Sequence, residues 1–135
     1  MELAVQAAGA GSEDERAWRL TRLAAALRKA GDLDLAVEAL EAAIALRPSD
    51  WAERALYTCA VAVRCDRNES ELAVTLGEEQ MGRSLDERLL HEMARAYYEA
   101  LEATGLDVYR EQWERISALL DAGRLPASNG RRLPR

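Results

Sequence analysis

At 135 residues and 49% hydrophobic content, the chain is long enough to fold as one domain with a sizeable core. Alanine dominates its apolar residues and phenylalanine is absent, a composition that favours closely packed helices over a sheet sandwich. The net charge of −6 argues against a general nucleic-acid binder, because contacts with phosphates require a basic surface.

Start and stop signals predict six helices in chain order. A capping box or a close variant is predicted at four helix starts, in the pairs Ser12 with Glu15, Asp50 with Glu53, Asn68 with Glu71, and Ser84 with Glu87. The predicted helix stops are Gly31, Pro48, Gly105 and Gly123. The predicted helices span residues 13–30, 33–46, 51–65, 69–82, 85–104 and 107–122. Short connections between them predict three antiparallel helical hairpins.

These helices place a single helical domain at residues 12–123, between a flexible N-terminus at 1–11 and a flexible, Arg-rich tail at 124–135. The first fifteen residues lack the cationic start and apolar run of a signal peptide, and no stretch approaches the length of a membrane-spanning helix. Cys59 and Cys65 lie on different faces of one predicted helix, so they cannot form a disulfide without unwinding it. We therefore expect a cytoplasmic protein that contacts no membrane.

One pattern of apolar and small residues recurs in the first helix of each predicted hairpin. It appears three times, as Leu20, Leu23, Ala24 and Leu27, then as Leu56, Cys59, Ala60 and Val63, and then as Leu90, Met93, Ala94 and Tyr97. The third position holds alanine each time, which indicates where a neighbouring helix comes closest.

The first hairpin carries additional markers, with Gly31 between its helices, Ala36 and Ala43 on its second helix, and Pro48 after it. With these residues the chain resembles the tetratricopeptide repeat (TPR) family over roughly residues 17–122. The resemblance implies an all-α, right-handed superhelix of about three hairpins, which binds a partner polypeptide in a concave groove. The alternative is an ordinary six-helix bundle whose amphipathic spacing matches by chance.

The match is graded along the chain. The second hairpin departs from the pattern after Ala73, where Gly77 and Gln80 replace residues expected to pack. The third hairpin has a longer first helix and bulkier residues, as a capping hairpin would.

The resemblance also implies which side chains line the groove, namely those on the first helix of each hairpin that face away from its second helix. The expected lining is Trp18, Thr21, Ala25, Arg28, Arg54, Tyr57, Val61, Arg64, Arg88, His91, Arg95 and Tyr98. Acidic residues concentrate instead on the second helices, at Glu38, Glu41, Glu71, Glu78, Glu79 and Glu114. Because a concave basic surface attracts anions, we expect an acidic peptide segment or a chain-terminal carboxylate as the ligand. The alternative is a solvated helix face whose arginines pair with nearby acids.

One specific ligand is argued against. Family members that clamp the acidic tails of heat-shock chaperones use lysine and asparagine at positions that carry Thr21, Ala25 and Thr58 here, and a cation at the position of Glu92. That clamp is absent from this sequence.

The sequence gives little support for a metal-binding or catalytic function. His91 is the only histidine, so a multi-histidine metal site is excluded, and no spacing brings titrating groups together as an enzyme requires. Trp51 and Trp113 are expected to pack in the interior, whereas Trp18 fits either the groove or the N-terminal end of the stack. We therefore expect a protein–protein interaction scaffold or adaptor that is not an enzyme and uses no cofactor.

Two other interpretations stay open. One is a homodimer formed through exposed apolar residues of the last helix, Leu119 and Leu120, because a terminal repeat needs a polar cap. The other is a regulatory helical module of a larger assembly.

Overall fold

Six α-helices form the described part of the chain. The computed structural model describes residues 11–122. The helices are α1 (Glu13–Lys29), α2 (Leu33–Ala45), α3 (Asp50–Asp66), α4 (Ser70–Met81), α5 (Glu87–Thr104) and α6 (Asp107–Asp121). No strand occurs among these residues, so the all-α prediction is confirmed. Every helix begins and ends within two residues of its predicted first and last residue. The predicted terminal segments lie outside the described residues, apart from Gly11.

The predicted capping box at the start of α1 is confirmed. The backbone N–H of Glu15 donates to Ser12 Oγ at 3.1 Å, and the backbone N–H of Ser12 donates to Glu15 Oε1 at 3.0 Å. Two of the helix's otherwise unpaired donors are satisfied in this way.

The capping boxes predicted for α3, α4 and α5 were wrong. Asp86 caps α5 in place of Ser84, because its carboxylate accepts the backbone N–H of Arg88 at 2.7 Å. Asn68 has a left-handed backbone with φ 64°, so it lies in the turn between α3 and α4 and Glu69 occupies the cap position of α4.

At α3 the cap position belongs to Ser49 rather than Asp50. The Ser49 backbone N–H and hydroxyl donate to the two carboxylate oxygens of Asp14 on α1, at 2.9 and 2.8 Å. The Ser49 hydroxyl, which could have capped α3, therefore bonds to α1 instead.

Two glycines end helices as predicted. Gly31 after α1 and Gly105 after α5 have φ angles of 85° and 74°, a left-handed conformation that glycine adopts without steric cost. The stop predicted at Gly123 lies outside the described residues.

The helix contacts define an open row rather than a closed cluster. Helix α3 packs against both α1 and α5, whereas α1 and α5 do not contact each other. Each of these three helices also packs against the helix that follows it. In addition, α2 packs against α3 and α4 packs against α5, so each hairpin contacts the next one. The first helices of the hairpins thus lie side by side, with α3 in the middle.

Two buried clusters fill the space between these helices. One joins α1, α2 and α3 around Leu20, Leu40 and Leu56, and the other joins α3 to α6 around residues such as Met93 and Ile116. The alanines predicted at close approaches, Ala24, Ala60 and Ala94, are all buried.

Gly77 on α4 lies against Met93 of the second cluster, although the sequence suggested a loss of packing at this position. A Cβ atom built on Gly77 would lie 1.8 Å from Sδ of Met93 on α5. Because glycine has no side chain, Met93 can occupy the space that a Cβ atom at position 77 would need.

Candidate functional site

An open groove crosses α1, α3 and α5 and encloses about 550 Å³. On α1 its lining residues are Trp18, Thr21, Arg22, Ala25 and Arg28. Their spacing of three and four residues places them on one face of the helix. The four α1 residues expected from the sequence are therefore all on the groove.

The middle wall of the groove comes from α3, and its residues are Trp51, Arg54, Ala55, Thr58, Cys59 and Ala62. On α5 and the turn before it, the lining residues are Asp86, Arg88 and Glu92. A second hollow of about 560 Å³ adjoins the groove along α1 and extends it to Asp66 at the end of α3. It shares residues such as Arg22, Arg28 and Cys59 with the groove.

Two tryptophans form the aromatic end of the groove. Trp18 is 36% exposed and Trp51 is 45% exposed, and their rings meet edge to face with centroids 5.5 Å apart. The guanidinium of Arg22 lies 5.7 Å from the centre of the Trp18 ring. Trp51, expected in the interior, therefore lies on the groove, whereas Trp113 is buried as expected.

Asp66 joins the three groove-lining helices at the other end. Its carboxylate accepts from Arg28 Nε of α1 at 2.5 Å and from Arg95 Nη2 of α5 at 2.8 Å. Burial alone would raise the pKa of Asp66, but the hydrogen bonds from the two arginines outweigh it, so the pKa is lowered. Arg95 also donates to Glu99 at 2.8 Å. We call Arg28, Asp66, Arg95 and Glu99 the Asp66 cluster.

The remaining arginines of the groove are bound less tightly. Arg54 Nε lies 4.0 Å from Asp86. Arg22 and Arg88 form no ion pair with a carboxylate of residues 11–122. Because four arginines lie opposite only two carboxylates, Asp86 and Glu92, the groove carries a formal charge of +2 in a chain of −6.

Two titrating groups on the groove have pKa values shifted by burial. Burial raises the pKa of Glu92, and the positive charges of Arg28 and Arg95 only partly oppose this. Burial also raises the pKa of the Cys59 thiol to about 11, so the thiol is protonated at neutral pH and is a poor nucleophile.

Six of the predicted lining residues do not line this groove. Tyr57 is only 7% exposed, and the Arg83 guanidinium lies over its ring, 5.1 Å from the ring centre. Val61 is fully buried. Arg64 pairs with Glu41 of α2 and Glu69 beside α4.

The other three are on α5. Tyr98 packs against Trp113 of α6, with ring centroids 5.7 Å apart, and His91 lies 3.8 Å from Glu87 on the same helix. Arg95 belongs to the Asp66 cluster at the end of the groove rather than to its wall.

A register error of one residue explains three of these positions. On α3, Thr58 and Ala62 line the groove where Tyr57 and Val61 were expected, and on α5 Glu92 lies there rather than His91. Arg54 and Arg88 do line the groove as expected. One residue rotates the face by about 100°. The signal that could have fixed the register was in the sequence, because Thr58 and Glu92, the positions of the absent chaperone clamp, both lie on the groove.

Among residues 11–122, no group of three or more histidine, cysteine, aspartate or glutamate side chains is placed to hold a metal ion. In the same part of the chain, every helix is too short or too polar to cross a membrane. Comparisons with protein-family models, with curated proteins and with solved structures gave no match to this chain.

Proposed function

We propose that this chain is a TPR-like interaction scaffold that binds an acidic segment of a partner polypeptide in the groove across α1, α3 and α5. The observation that carries the proposal is a basic groove with two exposed tryptophans in a strongly acidic chain. A concave surface of one charge concentrates the opposite charge, and arginine binds carboxylates through two parallel hydrogen bonds.

The packing of the helices supports the TPR-like arrangement. The row of α1, α3 and α5, with α2, α4 and α6 each packed against the preceding helix, is what a stack of helical hairpins requires. The hairpin markers agree with it, because Ala36 and Ala43 are buried and Gly31 has the left-handed backbone of a helix stop.

The tryptophans provide a direct test of binding. We would titrate the full chain with a pool of ten-residue peptides in which alternate positions are Asp or Glu, and with a matched pool carrying Lys or Arg there. We expect the acidic pool alone to change the tryptophan emission, because Trp18 and Trp51 line the groove. In a Trp18→Phe/Trp51→Phe control, only buried Trp113 remains and the change should disappear. Equal affinity for both pools would contradict the proposal.

Self-association is the second candidate function, and exposed apolar residues at the last helix favour it. Leu106 and Val108 at the start of α6 are each 53% exposed, and Leu119 is exposed on the same helix. Leu120 is only 7% exposed, so of the two leucines suggested by the sequence Leu119 is the one available to a partner. Light scattering over a range of concentrations tests this function, and a monomer at every concentration would exclude it.

A further inference from the structure

We infer that the groove holds its ligand at the tryptophan end and recognises an apolar side chain flanked by carboxylates. The apolar side chain packs on Trp18 and Trp51, and the carboxylates pair with Arg22 and Arg88. The Asp66 cluster fixes the helices and binds no ligand. This inference rests on the proposed function and specifies which ligand the groove takes.

The division follows from how the arginines are already paired. Arg28 and Arg95 both donate to Asp66, and Arg95 also donates to Glu99, so an incoming carboxylate would have to displace existing charge-assisted bonds. Arg22 and Arg88 have no such competitor among the described carboxylates, and Arg54 has only Asp86 at 4.0 Å. The capacity to bind anions therefore lies beside the tryptophans.

The tryptophan pair supplies the apolar part of the recognition. Trp18 and Trp51 expose large aromatic surfaces that the interior does not use, although each ring already contacts the other. Covering such surfaces releases water, and aromatic residues next to arginine are the usual anchors of peptide contacts. A ligand made only of acidic residues would leave these rings exposed.

The helix row limits the length of the ligand. Packed helices lie about 8–10 Å apart, so the path from α1 over α3 to α5 is about 16–20 Å. An extended peptide rises about 3.3 Å per residue, so about five or six residues span this path. Arg22 on α1 and Arg88 on α5 lie on the two outer helices, which places carboxylates near both ends and the apolar residue between them.

The experiment selects ligands without assuming their sequence. A random ten-residue peptide library displayed on phage is selected against the full chain, and the enriched peptides are synthesised. We expect them to share an aromatic or aliphatic residue with Asp or Glu on both sides. Replacing that apolar residue by alanine should weaken binding about tenfold.

Protein variants then separate the two halves of the groove. Arg22→Glu/Arg88→Glu should weaken binding of the selected peptides by about tenfold or more while the unfolding midpoint stays unchanged. The matched control is Arg110→Glu/Arg115→Glu on the exposed side of α6, which should leave the affinity unchanged. Arg95→Gln, in the Asp66 cluster and off the groove wall, should lower the unfolding midpoint and leave the affinity within about twofold.

The outcomes distinguish this inference from the proposed function. If no peptide is enriched, or if the enriched peptides are not acidic, the proposed function fails and the inference fails with it. If acidic peptides are enriched but bind equally well after the apolar residue is changed to alanine, only the inference fails. It also fails if Arg95→Gln weakens binding as much as Arg22→Glu/Arg88→Glu does.

Discussion

Gly77 of α4 lies directly against the side chain of Met93 on α5. Replacing it by alanine would place Cβ 1.8 Å from Sδ of Met93, a side chain that is fully buried and cannot move into solvent. Overpacking of this kind typically costs about 1–3 kcal/mol, which exceeds the gain of about 1 kcal/mol in helix propensity. We expect Gly77→Ala to lower the free energy of unfolding, measured by urea denaturation.

Gly82 provides a matched control, because a Cβ atom there would meet its nearest neighbour, a backbone oxygen, at an ordinary 3.5 Å. Gly82→Ala should therefore leave the stability nearly unchanged. Adding Met93→Ala to Gly77→Ala should cost less than the sum of the two single changes, since the clash would then be gone. Simple additivity would show that the two residues do not interact.

At the residue scale, the expected lining is correct throughout α1 but on α3 and α5 only for Arg54 and Arg88. Trp18, Thr21, Ala25 and Arg28 all line the groove as expected. Periodicity shows that a helix has an apolar face but does not fix its rotation to within one residue when several faces carry alanine and valine. Tyr57 illustrates the limit, because a tyrosine can lie at the edge of a core or on a binding surface with the same spacing.

At the scale of helices, Asp66 is the link that joins α1, α3 and α5 through ion pairs. Asp66→Asn would remove the negative charge that balances Arg28 and Arg95. Bonds to charged groups contribute about 1.5–3 kcal/mol when buried and less at a half-exposed site. We expect a loss of about 1–2 kcal/mol in the free energy of unfolding at pH 7.

The sign of the pH dependence follows from the lowered pKa of Asp66. The ordinary pKa of an aspartate is 3.8, and the pKa of Asp66 lies below this value, so the folded state favours the ionised carboxylate. The stabilisation from the ionised carboxylate is therefore fully present above pH 3.8. The stabilisation is lost as the pH falls through the lowered pKa. The difference between wild type and Asp66→Asn in urea denaturation should therefore be constant near neutral pH and disappear in strong acid.

Asp34→Asn is the control for this prediction. Asp34 also pairs with an arginine, Arg67, at 3.2 Å, but its side chain is 86% exposed. Exposed pairs contribute little because water and salt screen them. A loss from Asp34→Asn equal to that from Asp66→Asn would contradict a special role for Asp66.

The helices themselves were predictable because their signals are local. The capping box of Ser12 with Glu15 and the left-handed stops at Gly31 and Gly105 involve only neighbours in sequence. The starts of α3, α4 and α5 were less predictable. At α3, Ser49 bonds to Asp14, which lies thirty-five residues earlier, and no local pattern indicates that contact.

At the scale of the molecule, a groove of positive charge lies in a chain of negative charge. If the groove binds acidic peptides, part of the affinity comes from long-range attraction that salt screens over about 10 Å at 0.1 M and about 3 Å at 1 M. Raising sodium chloride from about 50 to about 500 mM should therefore weaken peptide binding about tenfold, measured by the change in tryptophan emission.

Some binding should survive in high salt, because apolar contact with Trp18 and Trp51 is not screened. Peptides that lack the apolar residue serve as the comparison and should lose nearly all their affinity. An affinity that stays constant or rises with salt would contradict an electrostatic contribution.

The row of first helices also determines how the molecule comes apart. Since α1 and α5 meet only through α3, the first hairpin can open while α3 to α6 keep their own buried cluster. Amide hydrogens of α3 should exchange with deuterium last, because both flanking units must detach before that helix is released. We therefore expect unfolding to begin at either end of the row and to reach the middle helix last. A substitution that destabilises one end should leave the stability of the other end unchanged.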